Sequence, residues 1–305
     1  MKRLVLIDGH AVLYRAFHAL PPLTSSNGQL VNAVYGFVLM LLKVYQDLKP
    51  DYLVVAFDLP IPTFRHETYI AYQATRPHMD DGLKGQIVLV KEVVESARIP
   101  IFTAPGFEAD DVIATLARQC KGKSEVIIVT GDRDIFQLVD DGVKVYMLTR
   151  GMSEGRVFDK KQVKEYLGIS PEQIVDYKAL TGDSSDNYPG VPGIGPKTAV
   201  ELLKEFGNLE KLYRNVEGVK ENIKKKLKEG KESALMSQKL AQISARVPVE
   251  LDLEKAKLAD LKTNEKFIDK LKELGFKSLL ARVRGVTDKD TDADKDKEGG
   301  QTSLF

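Results

Sequence analysis

The fold is decided by the stretch Arg3-Leu4-Val5-Leu6-Ile7-Asp8, a short apolar run that ends in an aspartate. Residues 52–58 and residues 126–132 have the same form, since each begins with an apolar run and ends in an aspartate. Runs this apolar are typical of parallel strands that are buried on both faces. The ligand crevice of such a sheet lies beyond the carboxyl ends of its strands. We therefore expect the three aspartates at one edge of a single sheet.

The bulk composition excludes several classes of protein. The chain has 305 residues, enough for one large or two modest domains. Its 45 Lys and Arg nearly balance 44 Asp and Glu, so net charge does not indicate a nucleic-acid partner. The single cysteine, Cys120, excludes a disulfide framework. No signal-peptide pattern is present, and no apolar run approaches the ~20 residues that span a bilayer. We expect a cytoplasmic monomer that makes no membrane contact.

Strand-like and helix-like segments alternate through residues 1–158, which predicts an α/β domain with a mostly parallel central sheet flanked by helices. The predicted helices and remaining strands cover 9–20, 31–48, 86–97, 99–102, 109–120, 133–139 and 143–147. A polar insertion at 61–85 leaves the sheet beside Asp58, and a long loop there is more often functional than decorative. Residues 159–285 are expected to form a helical subdomain, and the polar residues 286–305 a flexible tail.

Acidic residues are concentrated around the expected crevice, at Asp8, Asp58, Glu108, Asp110, Asp111, Asp132, Asp134, Asp183 and Asp186. A single aspartate after a strand is more often a helix cap, so the interpretation depends on the joint pattern. Two unit charges 4 Å apart interact by about 4 kcal/mol at an effective dielectric of ~20, so such a cluster needs cations. Oxygen ligands suit Mg²⁺ or Mn²⁺, and this many acids predict at least two ions. The four histidines show no zinc-ligand spacing.

A second motif lies in the helical half, where Gly193-Ile194-Gly195 precedes Pro196 and Lys197. It predicts a helix-hairpin-helix over 190–206, whose backbone amides hold a phosphate. Gly193, Gly195 and Lys197 are then candidate DNA contacts, and K⁺ is a candidate ion at the hairpin. The alternative is an ordinary turn between two helices.

The segment that follows the hairpin is basic. Residues 211–231 hold eight Lys or Arg against three Glu. This stretch, which includes Lys224 and Lys225, is either a solvated helix face or a track for DNA.

These motifs resemble those of the 5′-nuclease domain at the N-terminus of bacterial DNA polymerase I, a relative of the flap endonucleases. The resemblance covers about residues 1–285. It rests on Leu6-Ile7-Asp8-Gly9-His10, Tyr14-Arg15, Phe57-Asp58, Phe64-Arg65-His66-Glu67 and the strings at 105–111, 130–134, 180–187 and 190–195. It implies a PIN-like core and a structure-specific 5′→3′ exonuclease and 5′-flap endonuclease. Such an enzyme hydrolyses DNA by a two-metal mechanism in replication and repair.

The resemblance also implies roles for individual residues. The first metal would be held mainly by Asp8, Asp58, Glu108, Asp110 and Asp111. The acids Asp132 and Asp134 would lie between the metals, and Asp183 and Asp186 would complete the second site. The insertion would form a helical arch that admits single-stranded 5′ DNA. Beside the scissile phosphate, Tyr14 would stack on a base, and Arg65 and Arg76 would contact the phosphate.

One departure from the family concerns the arch. The family usually has lysine in the pattern Tyr-Lys-x-x-Arg, but here the string is Tyr72-Gln73-Ala74-Thr75-Arg76. Glutamine can hydrogen-bond a phosphate without supplying a charge. We therefore expect Gln73 to contact DNA, with slower chemistry and substrate binding largely kept.

The end of the chain and the alternative functions complete the expectations. The terminal string Gln301-Thr302-Ser303-Leu304-Phe305 resembles the short motif by which bacterial replication proteins dock on the sliding clamp, through Gln301, Leu304 and Phe305. Alternatively, residues 286–305 begin a linker to a polymerase. A metal-dependent ribonuclease on a similar core would explain the acids but not the hairpin. A branched-DNA binding module without cleavage would leave the intact acids unexplained.

Overall fold

The structure, a computed structural model, describes residues 1–150 and 154–285. Six strands form one sheet in the order β3-β2-β1-β4-β5-β6. All neighbours are parallel except β6, which is antiparallel to β5. This confirms the mostly parallel sheet, although β6 was not expected. The strands are β1 Arg3–Asp8, β2 Tyr52–Ala56, β3 Ile101–Phe102, β4 Glu125–Thr130, β5 Val143–Arg150 and β6 Glu154–Phe158.

The strand order places a topological switch point at the centre of the sheet. On one side β1 pairs with β2, with Ile7 opposite Val55, and on the other it pairs with β4, with Ile7 opposite Val129. Ligands of open α/β sheets bind outside the carboxyl ends of the strands at such a point. Asp8 is the last residue of β1, so it stands at this crevice.

Apolar helices cover both faces of the sheet, because both faces of its strands carry aliphatic side chains. Helices α1, α2 and α4 pack on one face with Val5 and Ile7, and α5 packs on the other with Leu4 and Leu6. The helices of this part are α1 Gly9–Ala19, α2 Asn32–Leu48, α3 Phe64–Thr68, α4 Asp81–Ser96 and α5 Ala109–Gln119.

The remaining helices divide between the two faces. Helices α6 to α11 extend the core on the α5 side, whereas α12 and α13 return to pack beside α2 and α4. The backbone also returns to the sheet, where the Leu53 N–H donates to the Ala256 carbonyl at 2.9 Å. These helices are α6 Lys160–Leu167, α7 Ile174–Thr181, α8 Pro196–Phe206, α9 Leu209–Arg214, α10 Glu221–Glu229, α11 Lys231–Ala241, α12 Glu265–Glu273 and α13 Lys277–Arg284.

Two local expectations were wrong in detail. Helix α4 begins at Asp81 rather than near 86, because Asp80 caps it by accepting from the Gly82 N–H at 2.8 Å. The insertion contains the five-residue α3, then turns, and ends in the first turn of α4, so it is not a mainly helical arch. Pro77 disfavours a helical conformation at the residue before it, which limits any helix there. Within the two described ranges, no helix combines the length and apolar character that crossing a bilayer requires.

Candidate functional site

Three aspartates from two distant segments meet at the edge of the crevice. Asp134 begins a short 3₁₀ turn that follows β4, and Asp183 and Asp186 lie in the loop after α7. Each offers a carboxylate oxygen, and these oxygens lie within 4.8 Å of one another. Three converging carboxylates are the ligand type that hard divalent cations prefer. This donor set therefore fits a divalent ion.

Lys178 of α7 is the counterion of this acid cluster. Its Nζ lies 2.7 Å from Asp134 Oδ1 and also forms an ion pair with Asp183. Burial alone would lower the pKa of Lys178, but the two carboxylates raise it. Burial and the neighbouring Asp132 raise the pKa of Asp134 to about 6. Burial would also raise the pKa of Asp183, but Lys178 lowers it. Sequence reasoning missed Lys178. The available signal was its position, because it lies in the last turn of a helix that leads into an acidic loop.

Asp8 is held rigidly at the end of β1. Its Oδ1 accepts from the Ala11 N–H at 3.0 Å, and its Oδ2 accepts from the Thr130 hydroxyl at 2.8 Å. Burial is the main cause that raises its pKa to about 6, and the charges of Asp58 and Asp132 add to it. The same aspartate is thus both a helix cap and a member of the crevice.

Asp58 and Asp110 complete this side of the crevice. Asp58 Oδ1 accepts from the Ala109 N–H at 2.7 Å, and its Oδ2 lies 3.2 Å from His10 Nδ1. Burial would raise the pKa of Asp58, but His10 holds it below its usual value. The pKa of Asp110 lies well above its usual value, first through burial and then through the charge of Asp8. The charges of these acids shift one another's pKa values, so the acids lie close together in the crevice.

Arg65 and Asp111 form a buried ion pair, so the expected roles of both residues were wrong. The guanidinium donates to both Asp111 oxygens at 2.8 and 2.9 Å and to the carbonyls of Leu240 and Gln242. Its Nη1 also lies 3.3 Å from Glu108 Oε2. All five N–H groups of Arg65 therefore have partners within the protein. Only 3% of the Arg65 side chain is exposed and none of Asp111 is. Arg65 therefore has no donor for a phosphate, and Asp111 has no face open to an ion.

Glu108 connects this ion pair to the insertion. Its Oε1 accepts from the Thr63 hydroxyl at 3.2 Å, and its Oε2 accepts from the Tyr72 hydroxyl at 3.3 Å. Burial raises the pKa of Glu108 to about 7, although the Arg65 charge opposes that shift. Glu108 thus has the properties of a carboxylate that an additional cation would stabilise.

The second half of the insertion packs on the acidic loop. The Gln73 N–H donates to the Asp186 carbonyl at 2.9 Å, and Asn187 Nδ2 donates to the Ala71 carbonyl at 2.7 Å. Arg76 Nη2 lies 2.6 Å from Asp186 Oδ1, with half of the arginine side chain exposed. Gln73 has φ 56°, a strained value outside glycine, and its side-chain amide lies beside Asp186. The expected contacts of Arg76 and Gln73 with DNA stay predictions.

Tyr14 stands on α1 with 57% of its surface exposed. Its ring meets His18 edge-on, with the ring centroids 4.3 Å apart. This placement excludes a role in the core, so the stacking on a base stays a prediction. Asp132 is likewise exposed, where its Oδ1 accepts from the Asp134 N–H at 2.8 Å.

The hairpin between α7 and α8 has the expected helix boundaries, since α8 begins at Pro196. Gly193 has φ 80°, and its carbonyl accepts from Lys226 Nζ at 3.1 Å. Lys197 and Gly195 are exposed at the start of α8. Sequence reasoning did not single out Lys226. No motif marks it, because α10 brings it to the hairpin only in the folded chain.

The two basic residues chosen on α10 differ from each other. Lys224 pairs with Glu221 at 2.6 Å and Glu217 at 3.5 Å, and only 17% of its side chain is exposed. Lys225 is exposed, with Glu229 3.9 Å away. The two glutamates offset the charge of Lys224, and its place on a DNA track stays a prediction. The clamp residues Gln301, Leu304 and Phe305 lie outside the described residues.

Comparisons with other proteins agree on one family. Residues 3–168 match the model of the 5′-3′ exonuclease N-terminal resolvase-like domain, and residues 169–264 match that of the 5′-3′ exonuclease C-terminal SAM fold. The chain is 41% identical to the 5′-3′ exonuclease of Aquifex aeolicus, and the alignment covers 100% of both. It is 43% identical to DNA polymerase I of Bacillus caldotenax over 92% of this chain. The alignment covers only 32% of the length of that polymerase.

Solved structures share the fold. The 5′-exonuclease of bacteriophage T5 with bound zinc superposes with a TM-score of 0.65 at 21% identity and covers 92% of this chain and 97% of its own. The catalytic core of Rad2 in complex with a DNA substrate has a TM-score of 0.57 at 20% identity and covers 92% of this chain and 90% of its own. These likenesses extend over both the sheet and the helical half.

Proposed function

Because this chain belongs to the 5′-3′ exonuclease family, we propose that it is a structure-specific 5′→3′ exonuclease and 5′-flap endonuclease that hydrolyses DNA. The observation that carries the proposal is the meeting of Asp134, Asp183 and Asp186 at the switch point of a parallel sheet. Hydrolysis of a phosphodiester by a two-metal mechanism needs cations there, and the acids of the crevice offer them oxygen ligands.

The proposed cofactors are Mg²⁺ or Mn²⁺, at least two in the site. When bound, they would activate water and stabilise the leaving oxygen. Asp8, Asp58, Glu108, Asp110 and Asp132 would hold one ion, and Asp134, Asp183 and Asp186 the other. Thr130 orients Asp8 through the hydrogen bond described above, and His10 holds the Asp58 backbone, whose N–H donates to His10 Nδ1 at 3.0 Å. We propose that Arg76 exchanges its ion pair with Asp186 for the scissile phosphate.

The proposed substrate is DNA with a free 5′ end or a 5′ flap, in replication and repair. The glycine turn and Lys197 would hold the duplex backbone, and the insertion would receive the single strand. The carbonyls of this turn are where we propose K⁺. A bacterial chromosome lies in the cytoplasm, where we propose that the protein acts as a monomer.

One experiment separates this function from the alternatives. Labelled 5′-flap DNA and the matching RNA are incubated with the parent protein, with Mg²⁺ or with EDTA. We expect Mg²⁺-dependent cleavage of the DNA near the flap junction. Preferential cleavage of the RNA would support a ribonuclease, and binding without cleavage a binding module. Asp183→Ala should abolish cleavage, whereas Asp269→Asn, which changes an exposed acid on α12, should leave it unchanged.

We propose that the sliding clamp is a further partner, on the sequence of residues 301–305 alone. A chain of ~20 residues spans roughly 25 Å, so it could tether the nuclease to the clamp without constraining its orientation. Deletion of 301–305 should abolish clamp binding in a pull-down and leave flap cleavage in solution unchanged. Unchanged clamp binding would contradict the proposal.

A further inference from the structure

Tyr188 carries a buried hydroxyl that has no hydrogen-bond partner among the described residues. Its ring packs with Tyr72, Leu240 and Ala241, and only 3% of the residue is exposed. A buried hydroxyl without a partner typically costs about 1–3 kcal/mol. Phenylalanine would fill the same space without this cost. The hydroxyl therefore calls for a partner that the side chains around it do not provide.

The backbone directs Tyr188 to the acid cluster. Tyr188 and Asp183 face each other across a short antiparallel bridge, with N–H to carbonyl distances of 2.8 and 3.0 Å. Residues opposite each other in such a pair project their side chains to the same face. Both residues line a cavity of about 330 Å³, together with Tyr69, Thr181 and Asn187. The cavity therefore has room for ordered water beside the carboxylate.

The electrostatics of the hydroxyl agree with this position. Burial raises the pKa of Tyr188 most, and the charges of Asp134, Asp183 and Asp186 raise it further, in that order. The three carboxylates that raise this pKa, against the opposing charge of Arg65, are the three that converge as candidate ligands. The hydroxyl, which has no acceptor among the described residues, thus lies in the electrostatic field of the three carboxylates.

We propose that Tyr188 is a positioning residue for the divalent ion held by Asp134, Asp183 and Asp186, and that its hydroxyl donates to a hydration water of that ion. The inference rests on the proposed function, since it needs an ion at these acids. Magnesium and manganese ions usually keep several waters, and groups that hydrogen-bond to the ligands of an ion tune its affinity. The hydroxyl thus gains its partner when the ion binds.

The test compares the thermal stability of the EDTA-treated protein, residues 1–305, with its affinity for Mn²⁺. Thermal unfolding measures the stability, and calorimetric titration measures the Mn²⁺ affinity. The binding event that Asp183→Asn removes is the one that belongs to Asp134, Asp183 and Asp186. Tyr188→Phe should leave the melting temperature of the EDTA-treated protein unchanged or higher. It should weaken that binding event by about tenfold, the lower end of the usual range for such groups.

Tyr213→Phe is the matched control, because the Tyr213 hydroxyl has an internal partner, the Leu227 carbonyl at 3.2 Å. Tyr213→Phe should lower the melting temperature and leave Mn²⁺ binding unchanged, which is the opposite of the result expected for Tyr188→Phe. Equal Mn²⁺ affinity of the parent and Tyr188→Phe would overturn the inference alone. A lower melting temperature of EDTA-treated Tyr188→Phe would also overturn it. A parent protein without any Asp183-dependent binding would overturn both the inference and the proposed function.

Discussion

Arg65 and Arg76 belong to the same insertion but have different environments. Arg65 is enclosed by Asp111 and by two carbonyls at the end of α11, whereas Arg76 is half exposed beside Asp186. The sequence motif contains both and does not distinguish them. Contacts between segments that lie far apart in the chain assign Arg65 to a structural ion pair, and contact of Arg76 with the substrate stays a prediction.

Removing the buried guanidinium should destabilise the protein. Arg65→Ala leaves the Asp111 carboxylate buried and uncompensated, which typically costs about 3–5 kcal/mol. The free energy of unfolding in urea, measured on EDTA-treated protein, checks this. Arg76→Ala is the matched control and should cost less than about 1 kcal/mol while slowing flap cleavage. A loss below 1 kcal/mol for Arg65→Ala would show that the pair is not structural.

The raised pKa values of Asp8, Asp134 and Glu108 predict a pH dependence. These acids have pKa values of about 6, 6 and 7 in the fold, against about 4 in an unfolded chain. Between pH 4 and 7 the folded protein therefore binds more protons, so its free energy of unfolding falls as pH rises. We expect the melting temperature of EDTA-treated protein to fall from pH 5 to 7.5. Added Mn²⁺ should reverse part of the fall at pH 7.5, and a melting temperature that rises with pH would contradict this.

The glutamine at position 73 is expected to limit the chemical step. Its backbone bond to Asp186 places its side chain beside Arg76, where a lysine would add a positive charge. A charge-assisted contact to a developing oxyanion is commonly worth ~2–4 kcal/mol. Gln73→Lys should therefore raise the single-turnover cleavage rate by about thirtyfold or more. Thr75→Lys adds the same charge at an exposed position nearby and should change the rate less. An unchanged rate for Gln73→Lys would refute the idea.

At the scale of elements, the sheet and the hairpin could be predicted because each depends on local patterns. Apolar runs that end in aspartate indicated β1, β2 and β4, and Pro196 indicated the start of α8. The insertion was harder, since its turns are held by contacts with the loop at 183–188 rather than by their own sequence. The strand β6 was missed because it follows β5 closely and pairs only with it.

Helix α8 and helix α10 differ in the positive charge they present. Lys197 is exposed at the start of α8, whereas Lys224 of α10 is neutralised by Glu217 and Glu221. Lys197→Ala should weaken duplex binding for all sequences and reduce the salt slope of log K by about one. Lys224→Ala should change neither. Fluorescence anisotropy at several salt concentrations measures both, and equal effects of the two substitutions would contradict the assignment.

At the scale of the whole molecule, the C-terminal helices close the structure on the N-terminal domain. Phe267 and Leu271 of α12 and Leu279 of α13 are fully buried in the core that α2 and α4 form on the sheet. Sequence reasoning placed these helices in the helical subdomain of residues 159–285, because an amphipathic pattern indicates a buried face but not the surface that buries it.

Truncation tests this arrangement. Deleting 265–305 exposes the apolar surface that α12 and α13 cover, at roughly 1.5–3 kcal/mol for each large side chain. The urea midpoint should fall sharply, and the sheet should lose stability together with the helical half. Deleting only 286–305 is the control and should leave the midpoint unchanged. An unchanged midpoint after the longer deletion would contradict the packing.

The ammonium of Lys178, placed between Asp134 and Asp183, has a consequence for the life of the chain. Because the polypeptide supplies its own counterion there, this corner of the molecule can assemble on the ribosome before any divalent ion arrives. An incoming ion then has to exchange with a tethered charge rather than relieve bare repulsion. On the proposed function, folding and activation would be separate events, and scarcity of the ion would stop cleavage without unfolding the protein.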